Sequence, residues 1–339
     1  MADNSTPVLE LKHIDVTFVK PLGFLKPPLR IQALKAISLK VLSGEVLAVV
    51  GESGGGKTTI GNVVAGILKP TSGHIFFEGK DISEMNARER REFRRQVQIV
   101  QQDAYAALNP MHMVAYSLSK PLLRMGLAAS RRRAMERVTQ LLELVELRPV
   151  GQYLNKYPHQ LSGGQRQRIL LARAIALGPK VIVADEPVSM IDVSLRVSAL
   201  NLMRKLNREL SISFVYITHD LGTARYIGRE GRILVLYLGT VVETGSLPDV
   251  IGNPRHPYLQ ALLSSVPIPD PEISRHRKKV SLTDVEMPSI IHPPPGCRFH
   301  TRCPFAEPGC RESEPALRAV ATSEVACHLA ERIPAWTIA

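Results

Sequence analysis

The segment Gly51-Glu52-Ser53-Gly54-Gly55-Gly56-Lys57-Thr58 constrains what this chain can fold into more than any other stretch. It follows an unbroken apolar run, Glu45-Val46-Leu47-Ala48-Val49-Val50, which reads as a strand buried on both faces. A helical pattern from Thr59 to Leu68 comes directly after it. A strand, a glycine-rich loop and a helix in that order build a phosphate cradle. The glycines let backbone N–H groups wrap an anion, and the helix N-terminus adds a favourable dipole. Lys57 can offer its ammonium to the β and γ phosphates, and Thr58 its hydroxyl to Mg²⁺. Gly51, Ser53, Gly54, Gly56, Lys57, Thr58 and Thr59 are therefore the expected nucleotide contacts.

Further apolar runs at Val181-Ile182-Val183-Ala184 and Ser213-Phe214-Val215-Tyr216-Ile217-Thr218 alternate with longer helical patterns, which predicts an α/β protein with a largely parallel sheet. Ligands in such sheets sit where the strands end, and both runs end on polar residues. The first leads into Asp185-Glu186-Pro187, two adjacent carboxylates suited to different work. Asp185 can hold the Mg²⁺ shell, while Glu186 can polarise a water for in-line attack on the γ phosphate. The second leads to His219, which by position alone reads as an incidental strand-end residue.

Leu161-Ser162-Gly163-Gly164-Gln165 stands before a helical pattern from about Gln165 to Leu177. It supplies a second helix N-terminus able to grip an anion. With this motif the chain resembles the ABC ATPases over residues 8–250. The resemblance implies a P-loop NTPase ABC core with a β-subdomain and an inserted helical subdomain, placed here at about 105–173. It also implies that Ser162, Gly163, Gly164 and Gln165 close on ATP held by a partner subunit's cradle. His219 then reaches the γ phosphate or the attacking water. Gln102 reaches Mg²⁺ and the membrane-domain contact, although Gln101 stands where an apolar residue is usual. Asp192 is the D-loop aspartate, preceded by Met190-Ile191 in place of Ala-Leu. Phe18 falls where such proteins stack a ring on adenine, with a core role as the alternative.

A narrower resemblance, to the ATPases of oligopeptide, dipeptide and nickel importers, rests on Gly51-Glu52-Ser53-Gly54, Leu108-Asn109-Pro110, His256-Pro257-Tyr258 and Pro294-Pro295-Gly296-Cys297. It implies an extension over 251–339, a second ATPase subunit (a paralogue by the habit of the subfamily), two transmembrane permease subunits and an extracytoplasmic substrate-binding protein. The chain itself shows no long apolar span and no signal-peptide pattern, so a peripheral place on the cytoplasmic face of a bacterial or archaeal membrane is expected. Peptides are the expected cargo, with nickel and oligosaccharides as alternatives.

All four cysteines, Cys297, Cys303, Cys310 and Cys327, lie within this extension. In a reducing cytosol such a group suits a soft metal site. A [4Fe–4S] cluster is expected from the subfamily, and Zn²⁺ or free thiols remain open. The formal charge of +12 would suit an anionic partner, either nucleic acid or the anionic inner face of a membrane. However, Arg88–Arg95 and Arg131–Arg137 interleave cations with Glu or apolar residues as solvated helices do, and no sustained heptads accompany them. A nucleic-acid partner is therefore not expected.

Overall fold

A computed structural model describes residues 7–23, 27–267, 272, 279–334 and 336. Its framework is an eight-stranded sheet and a separate four-stranded antiparallel sheet. In chain order the strands are β1 (Pro7–Lys20), β2 (Leu29–Leu42), β3 (Val46–Val50), β4 (Ser72–Phe77), β5 (Lys80–Asp81), β6 (Val97–Val100), β7 (Val181–Asp185), β8 (Ser213–Thr218), β9 (Arg232–Tyr237), β10 (Thr240–Ser246), β11 (Arg318–Val320) and β12 (Ser323–Val325). The small sheet runs β2-β1-β4-β5 and the large one β11-β12-β10-β9-β3-β8-β7-β6.

Strands β9, β3, β8, β7 and β6 pair in parallel, with β3 and β7 each held on both sides. Every residue of β3, β7 and β8 is buried, which is why these strands read as continuous apolar runs. Alternate residues feed opposite cores. Leu47, Val49, Val183, Val215 and Ile217 face α1 (Lys57–Val64) and the small sheet, packing with Ile60, Val63, Leu9 and Ile37. Ile182, Ala184, Phe214 and Tyr216 face the helical side. Helix α1 stops short of the expected Leu68 because Gly66 turns the chain at φ 66°, and the Asn62 carbonyl then accepts from both Ile67 and Leu68.

Among the described residues no strand forms between Val100 and Val181. That stretch holds α3 (Ala104–Ala107), α4 (Val114–Arg124), α5 (Arg131–Leu144), α6 (Gly151–Leu154) and α7 (Gly163–Ile175), after α2 (Ala87–Gln96). Leu118, Leu122, Val138, Leu141 and Leu142 of α4 and α5 join α7 in one core. The arginine-rich segments lie on α2 and α5, where Arg95 pairs with Glu92 and both Arg132 and Arg133 pair with Glu136. These are i,i+3 and i,i+4 pairs on solvated helix faces.

Helices α8 (Val193–Leu210) and α9 (Leu221–Ile227) complete the α/β core, followed by α10 (Leu247–Gly252) and α11 (Pro257–Ser265). The extension is sewn into the large sheet: β12 pairs antiparallel with β10, and β11 with β12. Its Phe299 packs edge-on against Tyr237 at 5.2 Å between ring centroids, and Tyr258 also stands beside it.

Candidate functional site

The cradle forms where β3 ends and α1 begins. Two of its glycines are required by close approach. A methyl group on Gly51 would meet the Leu236 carbonyl oxygen at 2.2 Å, and one on Gly56, which has φ 99°, would meet that of Ala33 at 2.7 Å. The turn between β9 and β10 braces the loop, since the Gly239 amide donates to the Gly55 carbonyl at 2.9 Å. Lys57 is buried and spans the loop mouth, donating to the carbonyls of Gly51 (2.8 Å) and Glu52 (2.9 Å). That leaves one of its three protons for a phosphate. Burial lowers its pKa, opposed by Glu186, Asp185 and Glu52. Ser53, Gly54 and Thr58 are exposed at the mouth, and Thr59 is half-buried behind them.

The two adjacent carboxylates diverge because the chain turns between them. Asp185 is the last extended residue of β7, whereas Glu186 adopts φ 44°, a conformation rare for a residue with a side chain. Asp185 is buried, which raises its pKa, while a hydrogen bond with Thr58 and the nearby Lys57 pull the other way. A hydroxyl and a carboxylate held together are hard oxygen donors of the kind that suit Mg²⁺. Glu186 instead accepts from His219 Nδ1 at 2.7 Å through Oε1 and from Gln102 Nε2 at 3.3 Å through Oε2. Gln102, Glu186 and His219, far apart in sequence, thus meet at one carboxylate.

The second helix tip lies elsewhere on the surface. Ser162 caps α7: its hydroxyl accepts from the Gln165 amide (3.3 Å), and its own amide donates to Gln165 Oε1 (3.0 Å). The helix therefore begins at Gly163, two residues before the expected start. A methyl on Gly163 would stand 3.6 Å from the Met190 carbonyl, and one on Gly164 would stand 3.4 Å from the Leu195 side chain. The glycines thus lie against the segment that carries Asp192, whose side chain makes no capping bond to α8. Met190, Val193, Leu195 and Val197 are all exposed there. Phe18, 44% exposed on β1 opposite Ile31, belongs to no core.

The four cysteines are free thiols, three of them buried. Burial pushes Cys303 up to about 12 and Cys327 up to about 11, and both feel the charge of Cys297 and Cys310. The donor chemistry suits a soft metal. Among the described residues no three His, Cys, Asp or Glu side chains are grouped to hold a metal ion. The tail is tied down instead by ordinary packing and by arginines. Arg302 forms a two-point ion pair with Glu52, and Arg298 donates to the Leu238 carbonyl and, at 3.0 Å, to Gln32 Oε1. These cross-chain contacts have no motif in the sequence, and only the fold reveals them.

A phosphate cradle, a strand-end carboxylate pair and a second anion-binding helix tip on the α/β frame define a P-loop nucleotide-hydrolysing cassette. The pattern of the ABC transporter family matches residues 34–189, and that of the oligopeptide/dipeptide transporter C-terminal region matches 242–310. The chain is 42% identical over 321 residues to the oligopeptide transport ATP-binding protein OppF of Salmonella typhimurium, covering 94% of each chain. It is 42% identical over 310 residues to the di/tripeptide transport ATP-binding protein DppF of Pseudomonas aeruginosa, covering 91% of this chain and 94% of that one. A dimeric structure of a post-hydrolysis state of the ATP-binding cassette MJ0796 bound to ADP and Pi matches with TM-score 0.61 and 30% identity, over 70% of this chain and 98% of that one. The chain belongs to the ATP-binding subunits of ABC transporters, and it is an ATPase. ATP is its substrate, and Mg²⁺ is the cofactor that such ATPases use. No helix among the described residues is long and apolar enough to cross a membrane.

Proposed function

We propose that this chain powers a peptide importer by closing on ATP against a second cassette and opening after hydrolysis. The observation that carries the reading is the Glu186 carboxylate, held by His219 and Gln102 beside the cradle. Two bonds on its two oxygens fix its orientation, so it can hold a water in line with the γ phosphorus and take up its proton. That water adds to phosphorus while the bond to the β-phosphate oxygen breaks. Lys57 and the loop amides meet the charge that develops. Thr58, Asp185 and Gln102 would hold Mg²⁺, which when bound neutralises phosphate charge. Phe18 supplies a ring for the adenine.

Ser162, Gly163, Gly164 and Gln165 grip the γ phosphate of ATP on the partner's cradle, and Asp192 lies at that interface. The exposed apolar strip Met190, Val193 and Val197 supports this reading, as does the dimeric state of the MJ0796 cassette. The partner cassette is a paralogue. The permease subunits dock on exposed Tyr105, Met111, Met113 and Tyr116 in the helical stretch that follows Gln102, and the chain then lies on the cytoplasmic face of the membrane. The names of the relatives support oligopeptides or dipeptides as cargo, delivered by a binding protein. Residues 1–250 form the cassette and 251–339 the extension. A [4Fe–4S] cluster on Cys297, Cys303, Cys310 and Cys327 rests only on the four-thiol set. Iron and sulfide analysis of anaerobically purified protein tests it.

Glu186→Gln tests the central reading. Hydrolysis should fall about 10²–10⁴-fold, ATP binding should persist, and a dimer stable in ATP should appear on sedimentation. Unchanged turnover would remove Glu186 from this role.

A further inference from the structure

The phosphate loop and the C-terminal extension meet at one residue, Glu52. Arg302, whose side chain is only 4% exposed, donates from its two terminal nitrogens to the two carboxylate oxygens of Glu52 at 2.7 and 3.1 Å. This is the fork geometry that guanidinium and carboxylate favour. The Glu52 amide donates to the Tyr258 hydroxyl of α11 at 2.7 Å. Its carbonyl accepts from the Lys57 ammonium at 2.9 Å and from the Gly55 amide at 3.2 Å. Side chain, amide and carbonyl of one loop residue are therefore all engaged, and three of those bonds, to Arg302 and Tyr258, reach outside the cassette's own phosphate motif.

Arg302 is itself fixed. Its guanidinium stands 5.8 Å from the ring centres of both Tyr237 and Phe299, and also donates to the Val285 carbonyl at 3.3 Å. Nearby, Arg298 holds the Leu238 carbonyl in the turn whose Gly239 amide braces Gly55. The extension thus presses on the cradle at two points, and the contact at Glu52 leads in one step to the ammonium that meets the phosphates.

We propose that Arg302 is a positioning residue for ATP binding, setting the place of the Glu52 carbonyl and through it that of Lys57. The extension is then part of the nucleotide site. Affinity for ATP depends on it, although it touches no phosphate.

The test uses the full-length chain as Arg302→Ala, Glu52→Gln, the double variant and Arg302→Lys, titrated with a fluorescent ATP analogue, with KM and kcat measured in parallel. Each of the first two should weaken binding and raise KM about tenfold, and the double variant should lose no more than either single one, since both break the same link. Arg302→Lys, which keeps the charge but not the fork, should recover part of the loss, and kcat at saturating ATP should hold. Lys57→Ala in the same titration checks the nucleotide site independently of Arg302. Wild-type affinity in a folded Arg302→Ala chain, or losses that simply multiply in the double variant, would overturn the proposal. If Arg302→Ala fails to fold, amide hydrogen exchange across residues 51–58 of Glu52→Gln decides. Faster exchange with weaker ATP binding supports the link, and unchanged exchange with unchanged affinity overturns it.

Discussion

Glu186 and its neighbour Asp185 differ by one backbone angle, and that angle separates their chemistry. A left-handed turn at a non-glycine residue costs on the order of 1 kcal/mol or more. It is held here by the Glu186 amide bonded to Ile217 and by Ser189 Oγ donating to the Glu186 carbonyl. Because His219 orients Glu186, His219→Ala should lower kcat by about 10–100-fold with KM little changed, as steady-state hydrolysis would measure. Glu243 carries a different consequence. It is fully buried, accepts from the amides of Arg255 and His256 and from Ser323 Oγ, and burial pushes it up to about 7. Between its ordinary value near 4.5 and about 7 the folded chain keeps a proton that the unfolded chain has released, so this group lowers stability as pH rises through that window. His256, buried and pushed down to about 3, acts in the opposite sense below its ordinary 6.5, since the unfolded chain takes up a proton that the folded one refuses. Glu243→Gln should therefore stabilise the protein by roughly 1–3 kcal/mol above pH 7. It should give little advantage near pH 4.5, and it should leave the acid loss from His256 in place; urea melts from pH 4.5 to 8 would measure this.

Helix α7 opens on a capping box in which Ser162 and Gln165 satisfy only part of the helix tip. Ser162→Ala should cost about 1 kcal/mol of stability through the lost cap. The strip on α8 and the loop before it should matter only when two cassettes meet. Met190→Glu with Val193→Glu should spare ATP binding by the single chain and remove the rise of specific activity with protein concentration. Strands β3, β7 and β8 were readable from sequence because burial on both faces confines Asp185, Ser213 and Thr218 to their ends and leaves the stretches between them largely apolar. The cradle and the α7 tip were readable because anion binding demands glycine and serine at fixed spacing. The Glu52–Arg302 pair was not, because a contact between residues so far apart leaves no local periodicity. The thiols illustrate the same limit: their shared place in the sequence suggested four ligands, yet the fold brings them together without setting three of them as a metal site.

At the scale of the whole chain, three large cores among the described residues meet on one sheet, and a fourth, small cluster around Cys310, Val320, Val325, Cys327 and Leu329 lies within the extension. The first packs helices α4 to α8, the second holds α1 and the small sheet, and the third joins β9 and β10 to α10, α11 and the extension. The carboxylate site lies at the end of β7, whose alternate residues feed the first two. The resemblance implied an extension over 251–339, and the large sheet continues into it, a continuity not legible in sequence because strands such as β11 and β12 are too brief to show alternation. The closure of β10 by β12 has a consequence during synthesis. Until the ribosome has released residues 318–325, the outer backbone groups of β10 have no neighbour, and an open strand edge invites pairing with another nascent chain. A premature stop after Cys310 would leave that edge bare for good, and such a fragment should collect in inclusion bodies even though every residue of the catalytic centre had already been made.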